Sequence, residues 1–103
     1  MRGNEIVDGN PKNLIRVYDD GGKTGDRYTV VYMNRKDYGY SKDYKSPYGK
    51  LLYPCLGMSA SPFHPQGIGQ HSDCVLGPHL GTRIPFASLP EDCQKAVKQD
   101  LGQ

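Results

Sequence analysis

The chain has 103 residues, a net charge of +2, and a composition rich in glycine (13), proline (8) and tyrosine (8). This length predicts a single domain over residues 1–103, with a modest hydrophobic core. So small a charge does not by itself indicate nucleic-acid binding. No stretch approaches the ~18 apolar residues of a membrane-spanning helix, so no membrane association is expected.

The cysteine content indicates a reducing environment. Three cysteines are an odd number, which disfavours a secreted disulfide framework. The first ten residues also lack the apolar segment of a secretory signal peptide. We therefore expect free thiols and a cytoplasmic location.

The first half of the chain contains strand signals. Residues 1–12 are mostly polar and are predicted to be a loose lead-in. Leu14–Tyr18 and Arg27–Met33 are rich in β-branched and aromatic residues and flank the turn-forming sequence DDGGKTGD, which predicts a β-hairpin. Leu51–Met58 is a third predicted strand, in which Pro54 marks an edge position or a bulge.

The C-terminal region carries the clearest helix signal. Ser88-Leu89-Pro90-Glu91 fits a capping box with proline in the first turn. The apolar residues that follow recur on one helical face, at Leu89, Cys93, Ala96, Val97 and Leu101. These features predict a helix from about Pro90 to Leu101, with Cys93 in the core. The expected fold is α+β, with this helix on one face of an antiparallel sheet of three to four strands.

The range 56–82 shows neither helical nor strand periodicity and is punctuated by glycine and proline. Loops this long are uncommon in compact domains unless they are functional or disordered. Phe63, between Pro62 and Pro65, offers an apolar ring that can pack into the core and hold the loop. We therefore predict one long, ordered loop over 56–82.

Polar, uncharged side chains in this loop are candidates for hydrogen-bonded recognition of a partner. They are His64, Gln66, Gln70 and His71. The alternative is that they satisfy backbone groups of a loop that has no strand partner.

The segment 35–50 interleaves tyrosine with lysine. The candidate binding residues here are Tyr38, Tyr40, Lys42, Tyr44 and Lys45. Tyrosine rings stack on unpaired bases and lysines contact phosphates, which is typical of single-strand binding. Tyrosine-rich polar segments are equally typical of protein-binding surfaces. Both interpretations remain open beside that of an ordinary solvated loop.

Two further alternatives involve the cysteines. Cys55, His64, His71 and Cys74 have the side chains that zinc prefers, and His71 and Cys74 show the spacing of a ligand pair. The spacing between Cys55 and His64 matches no common zinc pattern, so a small zinc module over 55–79 is an alternative only. Either cysteine could also be a nucleophile with His64 or His71 as its base. Neither cysteine lies at a recognisable helix N-terminus that would lower its pKa, and we expect no enzyme.

The run MSASPFHPQGIGQH, followed by HLGTRIPFASLPEDCQKAV, resembles small uncharacterised proteins of bacteria and their phages. The resemblance covers about the second half of the chain and implies no activity or site residues. It does imply a context, because small accessory proteins of mobile elements often bind a host protein or nucleic acid. The expected function is therefore a non-catalytic accessory protein that binds a host protein through residues 59–79 and the Tyr-rich segment 38–48. Nucleic-acid binding through 35–50 is the alternative.

Overall fold

The computed structural model describes residues 4–34 and 52–102. Within these ranges the chain forms an antiparallel sheet and one α-helix, which confirms the α+β fold. The strands are β1 (Glu5–Ile6), β2 (Leu14–Asp19), β3 (Tyr28–Tyr32), β4 (Tyr53–Met58), β5 (Gly69–Cys74) and β6 (Thr82–Ile84). Helix α1 spans Glu91–Asp100, and short 3₁₀ helices cover Pro78–Leu80 and Phe86–Ser88.

The sheet is built on the predicted hairpin. β2, β3, β4 and β5 lie side by side in that order. β1 and β6 share the outer side of β2: β1 pairs with Leu14 and Ile15, and β6 pairs with the range 17–19. β1 comes from the predicted lead-in, and Val7 directly after it is buried. Segments from the start and from the second half of the chain therefore meet at β2.

The tip of the hairpin between β2 and β3 is ordered by its own acidic side chains. Asp20 Oδ1 accepts hydrogen bonds from the backbone N–H groups of Gly22 (2.8 Å) and Lys23 (3.0 Å). The Arg27 guanidinium donates to Asp19 Oδ1 at 2.8 Å across the base of the tip. The turn-forming sequence thus stabilises the hairpin that it predicts.

Two predictions about the middle of the chain are wrong. Among the described residues the sheet has six strands, not three or four, and 56–82 is not one continuous loop. β4 extends into this range as far as Met58, and β5 and the helix Pro78–Leu80 lie inside it. β5 has the sequence GQHSDC, which lacks the β-branched and aromatic residues that mark a strand. It is a strand because its backbone pairs with β4, from Tyr53–Cys74 to Met58–Gly69.

The predicted helix is confirmed as α1, which lies inside the expected range. Its N-terminus differs from the predicted capping box. Pro90 is the N-cap residue, and no side chain caps it. Ser88 belongs instead to the preceding 3₁₀ helix, where its N–H donates to Pro85 O at 2.9 Å.

The sheet packs against α1 on one face, which we call the helix face. Its core residues are Val7, Ile15, Val17, Tyr28, Val30, Tyr32, Leu56, Met58, Leu89, Cys93, Val97 and Leu101. Cys93 is fully buried there, as predicted. The other face, called the open face, carries a second cluster around Tyr18, Val31 and Cys55. The candidate sites lie at the edge of the sheet formed by β4 and β5.

Candidate functional site

The segment between β4 and β5, residues 59–68, is an ordered loop. Its ends are joined by two hydrogen bonds, from Ser59 N–H to Ile68 O and from Ile68 N–H to Ser59 Oγ, both 2.9 Å. Within the loop, His64 N–H donates to Ser61 O at 3.1 Å and closes a turn. The 59–68 loop therefore holds its shape through its own backbone.

Glycine is required where this loop is tightest. Gly67 N–H donates to His64 O at 2.7 Å and closes a second turn. A Cβ atom at Gly67 would collide with Ser61 O. Ile68 anchors the loop against the hairpin tip, since its Cδ1 atom lies 2.7 Å from where a Cβ on Gly25 would be. Both contacts require glycine, at position 67 in the first case and at position 25 in the second.

Phe63 lies between the two prolines of the loop and is 50% exposed. The prediction that its ring packs into the core is therefore wrong. Ile68 anchors the loop instead, and the backbone hydrogen bonds make a second anchor unnecessary. Phe63 and Ile6 are the exposed large hydrophobic residues of the described chain.

His64 and Gln66 lie together in one turn of the loop. Gln66 N–H donates to His64 Nδ1 at 3.1 Å, and both residues line a shallow hollow on the loop. The sequence contains no Asp, Glu, Lys or Arg between 59 and 72. The surface around Phe63 is therefore polar but carries no fixed charge.

Gln70 and His71 do not complete this cluster. They are successive residues of β5, so their side chains lie on opposite faces of the sheet. His71 Nε2 is 2.7 Å from Asp100 Oδ2, which also accepts a 2.7 Å hydrogen bond from Tyr32 O–H. His71 thus connects the outer strand of the sheet to the end of α1.

The predicted zinc ligands are divided in the same way. Cys55 and Cys74 lie on the open face, whereas His71 lies on the helix face and His64 in the loop. In the ranges 4–34 and 52–102, no group of three or more His, Cys, Asp or Glu side chains is placed to hold a metal ion. The structure therefore does not bring these four residues together.

The structure does bring Cys55 and Cys74 together. Cys55 lies opposite Ser72 across β4 and β5, with 3.2 Å between Cys55 Sγ and Ser72 Oγ. Cys74 is two residues further along β5, which makes it the diagonal neighbour of Cys55 on the same face. Both thiols line a cavity of about 420 Å³ on the open face.

His79 is the histidine that shares this cavity with the cysteines. From the sequence, His64 or His71 was the expected base for either cysteine. The helix Pro78–Leu80 places His79 and Leu80 at the cavity instead. No sequence signal indicates this placement, since it depends on how the chain crosses the sheet after β5.

Contact between the two thiols separates their pKa values. A hydrogen bond with Cys74 lowers the pKa of Cys55 to about 7, although burial acts in the opposite direction. The same contact, together with burial, raises the pKa of Cys74. The first thiol of the pair therefore loses its proton much more readily than the second. In contrast, burial raises the pKa of Cys93 to about 11, and its Sγ donates to Ser59 O at 3.2 Å.

The candidate residues of the Tyr-rich segment lie outside the described residues. They are Tyr38, Tyr40, Lys42, Tyr44 and Lys45. In the part of the chain that is described, no helix has the length and apolar character needed to cross a membrane.

Comparisons with protein-family models, curated proteins and solved structures gave no match. Function is therefore inferred from the chemistry of this chain's own side chains.

Proposed function

We propose that this chain is a non-catalytic accessory protein that binds a protein partner through the 59–68 loop. The observation that carries the proposal is the half-exposed ring of Phe63 on a loop that is hydrogen-bonded internally. Buried aromatic anchors dominate the energetics of protein interfaces. A loop that is already ordered also loses little conformational entropy on binding.

The absence of charge from the 59–68 loop favours a protein partner over a nucleic acid. Nucleic-acid binding depends on lysine and arginine contacts to phosphates, and residues 59–72 contain neither. His64 and Gln66 beside Phe63 instead provide uncharged hydrogen-bonding groups. They suit a partner with an apolar pocket for the ring and a polar rim around it.

The sequence pattern extends the proposal to residue 79 and to the Tyr-rich segment 38–48, which lies outside the described residues. The resemblance to small phage and bacterial proteins supports a host protein as the partner. Nucleic-acid binding through 35–50 rests on the sequence pattern alone, and a steep salt dependence of binding distinguishes it.

The experiment that tests the proposal is site-specific photo-crosslinking. A photoreactive phenylalanine analogue replaces Phe63 in one preparation and Ile6 in a second, and each is irradiated in a host-cell extract. Ile6 is a matched control because it is 51% exposed, against 50% for Phe63. We expect a specific crosslinked protein from position 63 and none from position 6.

The binding affinity of the captured protein is then measured with purified components. Phe63→Ala is expected to weaken binding by about tenfold or more, the loss typical of an interface hot spot, whereas Ile6→Ala leaves it nearly unchanged. Equal losses in the two variants would show that the 59–68 loop is not the contact surface. Binding lost steeply with added salt would favour the nucleic-acid alternative.

A further inference from the structure

A second candidate site lies on the open face of the sheet, and its side chains differ in chemistry from those of the uncharged 59–68 loop. Cys55 is buried and Cys74 is half-buried, and both pack in the cluster that contains Val31. Their cavity has a mixed lining, with Leu52, Val75 and Leu80 as its apolar side chains. Two free thiols therefore lie side by side at the wall of one cavity.

We propose that Cys55 and Cys74 form a two-coordinate site for a soft monovalent cation of the Cu(I) type. Thiolate sulfur is a soft ligand that selects such cations over the harder ions bound by oxygen. Asp26 and Asp73 line the same cavity, so their negative charge attracts a cation into it. The Ser72 hydroxyl, 3.2 Å from Cys55 Sγ, hydrogen-bonds a coordinated thiolate as an outer-shell group does.

The relative positions of the two cysteines favour a bridging cation over a disulfide. Diagonal neighbours on adjacent strands have Cα atoms about 7–8 Å apart, whereas a disulfide needs about 4.4–6.8 Å. A linearly bound cation with metal–sulfur bonds of about 2.3 Å places the sulfurs about 4.6 Å apart. A linear sulfur–metal–sulfur unit therefore spans a wider gap than a disulfide does.

The surroundings of the pair also favour two ligands over four. Structural zinc takes four ligands in a tetrahedron. Cys93 and His71 lie on the helix face, where Cys93 donates to Ser59 O and His71 contacts Asp100. The sheet therefore separates these side chains from Cys55 and Cys74. His79, Asp26 and Asp73 line the same cavity, but in the described ranges no group of three or more His, Cys, Asp or Glu side chains is placed to hold a metal ion. A cation that accepts two ligands therefore fits better than zinc.

Binding is an exchange of protons for the cation, without electron transfer. One Cu(I) ion replaces the protons of both thiols and forms two copper–sulfur bonds. The protons leave to solvent, and the oxidation states of copper and sulfur do not change.

The test is an anaerobic titration of the fully reduced protein with Cu(I) in competition with a chromogenic Cu(I) chelator. We expect one equivalent to be held by the protein. Cys55→Ser and Cys74→Ser should each weaken binding by about a hundredfold or more, since even loss of an outer-shell group weakens metal binding about 10–100-fold. Cys93→Ser is the matched control, because serine keeps a donor for Ser59 O and leaves the site intact.

X-ray absorption of the Cu(I)-loaded natural sequence provides a measurement that does not depend on the folding of any variant. We expect two sulfur ligands. The proposal is overturned if the reduced, folded protein takes up no Cu(I), or if uptake depends on Cys93. It is also overturned if zinc is bound in preference through nitrogen and sulfur ligands, or if air produces a Cys55–Cys74 disulfide in a protein that takes up no Cu(I).

Discussion

At the scale of single residues, position 67 decides the shape of the 59–68 loop. Its N–H closes a turn on His64 O, while its α-carbon approaches Ser61 O too closely for any side chain. The flanking prolines restrict the backbone of the same loop. The exposure of Phe63 is therefore a consequence of a rigid backbone and not of disorder.

Gly67→Ala is expected to destabilise the protein by about 1–3 kcal/mol, because the added methyl group forces the backbone apart at Ser61. Chemical denaturation measures this change in the free energy of unfolding. Gly69→Ala is the matched control in the same segment. Its Cβ would lie 3.5 Å from Pro62 Cβ, an ordinary contact, so we expect a change within about 0.5 kcal/mol. Equal effects at the two glycines would contradict the role assigned to position 67.

At the scale of elements, side-chain patterns mark some strands and backbone pairing defines others. β3, with the sequence YTVVY, has the aromatic and β-branched residues that predict a strand. β5 has none and forms because β4 offers it a pairing edge. Pro54 pairs with Asp73 of β5, but the pairing of β4 with β3 begins only at Cys55. The missing N–H of Pro54 therefore interrupts no pairing with β3, although β4 is an inner strand and not the predicted edge strand.

The hairpin is expected to lose stability in acid. A hydrogen bond from Arg27 lowers the pKa of Asp19 below its ordinary value of 3.8 in the folded state. A lowered folded-state pKa gives a stabilisation that is present above pH 3.8 and is lost as the pH falls through the lowered value. Arg27→Gln should therefore reduce the free energy of unfolding at neutral pH, and the difference from the natural sequence should disappear in acid.

Denaturant unfolding of both proteins across this pH range measures the effect. Lys95→Gln is the control, because Lys95 pairs with Glu91 at 3.9 Å on the exposed surface of α1. Surface pairs of this kind contribute little to stability. The free energies of unfolding of Arg27→Gln and the natural sequence should converge in strong acid. If their difference persists there unchanged, the assignment to Asp19 is contradicted.

At the scale of the whole molecule, one carboxylate connects the centre of the sheet, its outer strand and the helix. Asp100 at the end of α1 accepts hydrogen bonds from Tyr32 of β3 and contacts His71 of β5. Tyr32 is fully buried, so its hydroxyl requires a partner inside the protein. This contact fixes the position of α1 relative to the sheet.

Tyr32→Phe is expected to destabilise the protein by about 1–2 kcal/mol, through loss of a hydrogen bond to a carboxylate. A double-mutant cycle with Asp100→Asn should show a coupling energy of about 1 kcal/mol, measured by denaturation. Tyr18→Phe is the control, since the contact of buried Tyr18 with Arg83 is made through its ring. Strict additivity of Tyr32→Phe and Asp100→Asn would show that the two groups do not act together.

The sequence by itself determined the hairpin, the third strand, the helix and the burial of Cys93, because each has a local pattern of apolar side chains. Only the tertiary structure decided that β5 is a strand, because its backbone pairs with β4 irrespective of side-chain type. Only the tertiary structure placed His71 and Cys74 on opposite faces of the sheet, because side chains alternate between the two faces along a strand. It also placed Cys55 beside Cys74. Strand pairing then brings together residues that are far apart in the chain.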